Sequence, residues 1–279
     1  MSEIEPGPIV LIGAGRMGSA LLKGWFAHGI GTHRIVVQEP EPNAEVDEFL
    51  KAAGLDAGEA RDEPVPPSVI VLAVKPQKMD EVAAGIAHVA DENTVVMSIA
   101  AGRTVDSIAA HFGENAAIVR VMPNTPAAVG RGMSVLYANQ HVTEAQKDDC
   151  QRLMAAVGET AWVEDETLID AVTAVSGSGP AYVFLLTECL AQAGVQAGLS
   201  TELAAKLARA TVSGAGELMH KASETPDVLR QNVTSPAGTT EAALRVLMGQ
   251  DDDPEKGPLA DLVREAVAAA AKRSRELAG

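Results

Sequence analysis

Four consecutive apolar residues, Ile9-Val10-Leu11-Ile12, run directly into Gly13-Ala14-Gly15-Arg16-Met17-Gly18, and Ser19-Ala20-Leu21-Leu22 continues behind them. A short, wholly apolar run ended by glycine reads as a buried parallel strand, and the apolar continuation reads as a helix. The glycines between fit G-x-G-x-x-G, and strand, turn and helix together supply the context that such a spacing requires. Gly13 permits the tight turn out of the strand, Gly15 lets a pyrophosphate approach the backbone, and Gly18 lets the helix pack close to the sheet. Amides at the helix start, with the positive end of the helix dipole behind them, then face an anion. Arg16 and Met17 count with the three glycines as candidate dinucleotide contacts. The competing reading is an ordinary glycine-rich turn.

The next segments repeat the strand–helix alternation. Strands are expected at Arg34 to Gln38, Val69 to Val74, Thr94 to Ile99 and Ala117 to Met122, with helices at Val46 to Ala53, Asp80 to Val89 and Thr104 to His111. This alternation predicts a parallel, doubly wound sheet, in which a ligand sits beyond the carboxyl ends of the strands. Lys75-Pro76-Gln77, Ala100-Ala101-Gly102 and Pro123-Asn124-Thr125 all fall there. Met133 to Tyr137 and Ala161 to Val163 read as further strands flanking a helix from Glu144 to Ala156. The second strand ends in Gln38-Glu39-Pro40, with Glu39 about 25 residues beyond Gly13, where a carboxylate can bind the adenosine ribose. In that role Glu39 would repel a 2′-phosphate and favour NADH over NADPH. An acidic surface loop is the alternative.

From Leu168 onward the pattern is helical, with Ala- and Leu-rich runs at Ala181 to Ala193, Thr201 to Met219 and Pro258 to Leu277. The chain is therefore expected to be a Rossmann-like α/β dinucleotide-binding domain, residues 1–165, followed by an all-α domain, residues 166–279. So apolar a helical domain is expected to bury a face against a second copy.

A net charge of −16 argues against a nucleic-acid backbone or an anionic membrane as partner. Met1 to Gly7 is acidic and polar, unlike a signal peptide, and no uninterrupted apolar run reaches the roughly 18 residues of a membrane span. A soluble cytoplasmic protein is expected. Cys150 and Cys189, the two cysteines, read as buried free thiols, and the six histidines show no metal spacing.

Two stretches carry further chemistry. Val175-Ser176-Gly177-Ser178-Gly179-Pro180 fails the nucleophile pattern G-x-S-x-G and reads instead as a small-residue turn entering a helix, its amides available to an anion. Asn232-Val233-Thr234-Ser235-Pro236-Ala237-Gly238-Thr239-Thr240-Glu241 crowds hydroxyls between two helices. Thr239 or Thr240 could serve as a helix cap, or the stretch could face a substrate.

Together with Ala73-Val74-Lys75-Pro76-Gln77, Ser98 to Gly102 and Arg120 to Pro126, these stretches resemble the pyrroline-5-carboxylate reductases in order and content, from about Ile9 to about Met248. That resemblance implies reduction of the cyclic imine 1-pyrroline-5-carboxylate to L-proline by NADPH or NADH, and an interlocked homodimer that can assemble further. It also implies that Ala73, Lys75, Pro76, Ala100 and Asn124 lie on the cofactor side. Ser178, Gly179, Asn232 and Thr240 would hold the pyrroline carboxylate and ring nitrogen, with Thr240 and Ser178 in the catalytic roles. Members of the family commonly carry a basic residue after the second strand, where this chain has Gln38-Glu39-Pro40. A related reductase of other imines or carbonyls, and a nucleotide-sensing protein without catalysis, are the other readings. A hydroxy-acid enzyme would need a lysine early in the helix beginning Pro180-Ala181-Tyr182, which has none.

Overall fold

A computed structural model describes residues 7–58, 65–249, 253 and 256–278. The acidic start through Pro6 and the part of the irregular Arg61 to Ser68 crossing up to Pro64 lie outside the described residues.

Among the described residues eight strands form one sheet: β1 (Ile9–Ile12), β2 (Ile35–Gln38), β3 (Ala57–Gly58), β4 (Val69–Leu72), β5 (Val95–Ser98), β6 (Ala117–Met122), β7 (Gly132–Ala138) and β8 (Gly158–Trp162). Their order is β3-β2-β1-β4-β5-β6-β7-β8, so the winding reverses between β1 and β4. Strands β1 to β6 pair in parallel, as expected. The two-residue β3 was not legible in the sequence. Strand β7, whose direction its own residues leave open, pairs antiparallel with β6. The link between them holds only a short 3₁₀ turn, Thr125–Val129, and a parallel return needs a crossover of a dozen or more residues.

Helices α1 (Arg16–Ala27), α2 (Ala44–Ala52), α3 (Met79–Ile86), α4 (Val105–Phe112) and α5 (Glu144–Ala155) connect the strands. Side chains alternate between the two faces of the sheet. One core cluster joins Leu11, Val37, Val71 and Met97 to Leu21, Leu22 and Trp25 of α1 and Leu50 of α2. The other joins Val10, Ile12, Ile70 and Leu72 to Met79 and Ile86 of α3 and Ile108 of α4. The Trp25 indole N–H donates to the Leu153 carbonyl at 2.9 Å, so the largest buried side chain leaves no polar atom unmet.

The remaining helices are α6 (Ile169–Val172), α7 (Gly179–Gln196), α8 (Thr201–Lys221), α9 (Pro226–Asn232), α10 (Thr239–Met248) and α11 (Pro258–Ala278). Met1–Gly177 with Ala271–Gly279 form one compact unit, and Ser178–Ala270 the second. The two units divide at Gly177, and Glu166–Gly177 is bonded to the sheet. Glu166 pairs with Arg120 of β6 at 2.7 Å, and Ser176 accepts from Asn124. The end of α11 returns to the first unit, where Ser274 donates to Asp170 at 2.6 Å.

Within the second unit, α7 packs on α8 through small residues. A side chain at Gly194 would come within 3.2 Å of the Ala204 methyl. Among the described residues of this unit the buried hydrophobics are Ala204 and Ala208, whereas Phe184, Leu185, Leu186, Leu207 and Val263 are exposed. By length and composition the helical stretch Glu166–Gln196 is apolar enough to cross a membrane, and 11% of its most apolar window is buried. Cys150 is buried, as expected, and burial pushes its thiol up to about 12. Cys189 is exposed on α7, contrary to expectation, since the described residues of this unit bury little beyond Ala204 and Ala208.

Candidate active site

Main-chain hydrogen bonds carry the sheet ladder past the strand ends and level the loops at one edge. The Gly13 amide donates to the Gln38 carbonyl at 2.9 Å, Ala73 to Ile12 at 2.8 Å, and Ile99 to Leu72 at 3.1 Å. This edge therefore brings together the glycine turn, the end of β2, Ala73-Val74-Lys75 and Ile99-Ala100. Ala100 is buried, while Lys75 is exposed and leads into the 3₁₀ turn Pro76–Lys78.

The glycines behave as their spacing predicts. Gly13 takes φ +93°, and a side chain there would meet the Ala73 carbonyl oxygen at 2.7 Å. At Gly18 it would meet the Gly13 carbonyl oxygen at 2.1 Å, but at Gly15 nothing lies within 4 Å. Gly15 and Arg16 are exposed, Met17 is half-buried, and no side chain caps α1. The start of α1 is thus an open cradle of amides, which fits a pyrophosphate. Glu39 reaches this turn: its Oε2 accepts from the Ala14 amide at 2.9 Å and its Oε1 from the Glu41 amide at 3.3 Å. Residues 14 and 39 are far apart in sequence, so the bond fixes a carboxylate beside the cradle and weakens the surface-loop reading.

Asn124 is engaged within its own unit. Its Oδ1 accepts from the Met133 amide at 2.9 Å, and its Nδ2 donates to the Ser176 carbonyl at 3.2 Å and hydroxyl at 3.3 Å. It ties the loop after β6 to the segment leading into α7. That segment is not the expected turn: Thr173–Gly177 is one π-helical turn continuing into α7. Such wide turns recur at functional sites. Ser178 and Gly179 stand where it passes into α7, both half-buried.

In the second unit Asn232 ends α9, and Thr239 and Thr240 open α10. Neither threonine is the cap: Gly238 holds that position without a side-chain cap. Glu241 organises the loop, accepting from the Ala237 amide and from Arg245. Among the described residues Ala237 is the one non-glycine with positive φ, at 55°, a conformation costing about 1–2 kcal/mol for an L-residue. Strain of this kind concentrates at functional loops.

Sequence reasoning missed Arg120 and Glu166. Arg120 sits inside the strand Ala117-Ile118-Val119-Arg120-Val121-Met122 and is buried. A cation amid apolar strand residues must be paired, so the strand itself carried the signal, and only its partner was hidden. A cavity of about 340 Å³ lined by Ile9, Arg34, Ser68 and Arg152 lies at the opposite, amino-terminal end of the strands, away from this site.

The family described as pyrroline-5-carboxylate reductase dimerisation matches residues 166–277, and the one described as NADP oxidoreductase, coenzyme F420-dependent, matches residues 8–102. The chain is 42% identical to a pyrroline-5-carboxylate reductase of Pseudomonas aeruginosa, covering 97% of this chain and 96% of that protein. It is similar to the solved pyrroline-5-carboxylate reductase of Coxiella burnetii, with TM-score 0.89 and 36% identity over 99% of this chain and 100% of the other. It is also similar to the Plasmodium falciparum pyrroline carboxylate reductase solved with NADP bound, with TM-score 0.79 and 30% identity over 99% and 100%. These relatives match along nearly the whole of this chain and of their own length, and the chain belongs to the pyrroline-5-carboxylate reductase family.

Proposed function

We infer that this chain reduces 1-pyrroline-5-carboxylate to L-proline, taking hydride from a nicotinamide dinucleotide. What carries the reading is the chain-long relationship to reductases of that name, joined to a glycine turn whose amide cradle is open. A cyclic imine needs hydride at carbon and a proton at nitrogen, and a protonated imine accepts hydride without a metal or strong acid. The bound nicotinamide supplies the hydride. The protein then has chiefly to hold the reactants at attack distance. In this proposal Gly13, Gly15, Arg16, Met17 and Gly18 bind the pyrophosphate, and Ala73, Lys75, Pro76 and Ala100 line the nicotinamide side. Asn124 acts there by holding its loop, since its side chain is bonded to Met133 and Ser176. Ser178, Gly179 and Asn232 hold the substrate, and Thr240 bonds the ring nitrogen. The exposed apolar face of α7 is covered by a second copy, in keeping with the dimerisation-domain match.

Thr240 has the first test. Losing one buried hydrogen bond costs about 1–3 kcal/mol, so Thr240→Ala should lower kcat/KM for the imine roughly 10- to 100-fold. Unchanged kcat and KM would remove Thr240 from the mechanism.

NADH is proposed as the preferred cofactor. A 2′-phosphate would lie against the Glu39 carboxylate that the Ala14 amide holds at the turn. Like charges in contact cost several kcal/mol, so kcat/KM should favour NADH by roughly 100-fold or more. Imine-dependent oxidation of each cofactor, followed by loss of nicotinamide absorbance, gives the ratio. Glu39→Ser should shrink it. Equal rates in the natural chain would refute the preference, and absence of imine-dependent oxidation with either would refute the reductase reading.

A further inference from the structure

Gln38 is the last residue of β2 and is 3% exposed, yet neither its Oε1 nor its Nε2 has a hydrogen-bond partner in the protein. A buried carboxamide is normally paired, and an orphaned one calls for an explanation. Its place supplies one. Ile35 and Val37 face the cluster that contains α1, whereas Val36 packs against the cluster that contains α3. By alternation Gln38 lies on the α3 face. The pairing register sets it level with Ile12 of β1, Leu72 of β4 and Ser98 of β5, the last row before the loops of the site. Its own carbonyl takes the Gly13 amide, and the next side chain, Glu39, takes the Ala14 amide. The end of β2 therefore carries two polar side chains on opposite faces, one bonded to the glycine turn and one buried without a partner.

We propose that the Gln38 carboxamide is a cofactor-recognition group, exchanging hydrogen bonds with the adenosine portion of the dinucleotide. In a doubly wound sheet the ligand lies beyond the strand ends at the reversal of winding, here between β1 and β4, and its adenosine half extends over β2. Glu39 and Gln38 then address that half from the two faces of one strand. This inference rests on the nicotinamide dinucleotide reading above.

Two opposite readouts test it. Gln38→Leu removes both polar atoms at similar volume. Without cofactor, the variant should melt at or above the temperature of the natural chain, because an unmet polar group has been removed. The Kd for NADH should rise roughly 5- to 50-fold, with an equal factor for ADP, which carries the adenosine and diphosphate but no nicotinamide half. Gln38→Met repeats the test with an unbranched side chain. An unchanged Kd for NADH and ADP overturns the proposal. So does a lower melting temperature without cofactor, or failure of both variants to fold, because the carboxamide is then an internal structural group. NADH binding by the natural chain is measured alongside; its absence would sink the dinucleotide reading itself, a result distinguishable from either outcome above.

Discussion

Gly18→Ala should lower the affinity for NADH by about 100-fold or more, whereas Gly15→Ala should leave the fold intact and weaken binding alone. An added methyl at position 18 would sit 2.1 Å from the Gly13 carbonyl oxygen, well inside contact distance. That neighbour is backbone rather than the end of a flexible side chain, and its own amide is tied to the Gln38 carbonyl, so it cannot yield cheaply. Either α1 or the glycine turn must shift, and overpacking of this kind costs about 1–3 kcal/mol of stability. Displacing binding groups by an ångström costs on the order of 100-fold in function. Position 15 is the contrast, because nothing lies within 4 Å of a methyl placed there. Its melting temperature should match that of the natural chain, and any loss of NADH affinity would report the close approach of the pyrophosphate. Fluorescence titration with NADH and thermal melts without cofactor separate the two. If Gly18→Ala binds NADH normally, the glycine turn is not the cofactor cradle.

Glu166→Ala should destabilise the first unit by about 3–5 kcal/mol. Its Oε1 accepts from the Arg120 guanidinium at 2.7 Å and from the Val105 amide at 2.9 Å. The Arg120 side chain is 6% exposed and that of Glu166 23%, so the arginine would be left buried without its counter-charge. The first amide of α4 would lose its acceptor as well. Partial exposure of Glu166 lets water reach the site and places the cost toward the lower end of that range. Glu166→Gln keeps an acceptor oxygen and loses the charge, so its cost should fall between the natural chain and the alanine variant. Urea unfolding of the three proteins checks the ranking. An alanine variant as stable as the natural chain would show that the pair does not anchor Glu166–Gly177 to the sheet.

Local patterns carried much of this fold in readable form. The apolar strands, the G-x-G-x-x-G turn and the change to helix after Glu166 each follow from periodicity or from a backbone position that only glycine fills. The direction of β7 was less legible, because it depends on the length of a connection rather than on the strand's own residues. The turn expected at Val175–Pro180 failed for a related reason. Small residues permit a turn, but packing of Ser176 against Asn124 and of Gly177 against Met122 holds the segment as a π-helical turn instead.

The site divides in the same way. Gly13 and Gly18 were legible because their constraint is local and steric. Glu39 was legible as a candidate, but only the fold brings its carboxylate to the Ala14 amide. Asn124 was read as lying on the cofactor side, and only the fold shows its side chain bonded to Met133 and Ser176. Arg120 announced a need for a partner without naming Glu166, and Gln38 gave no signal until burial left its carboxamide unpaired. By itself the sequence determined which segments are strands and helices and where backbone freedom is required, since those depend on neighbours along the chain. Only the tertiary structure decided which polar groups meet, because a hydrogen bond or ion pair between distant residues exists only once the sheet order and register have brought them within about 3 Å.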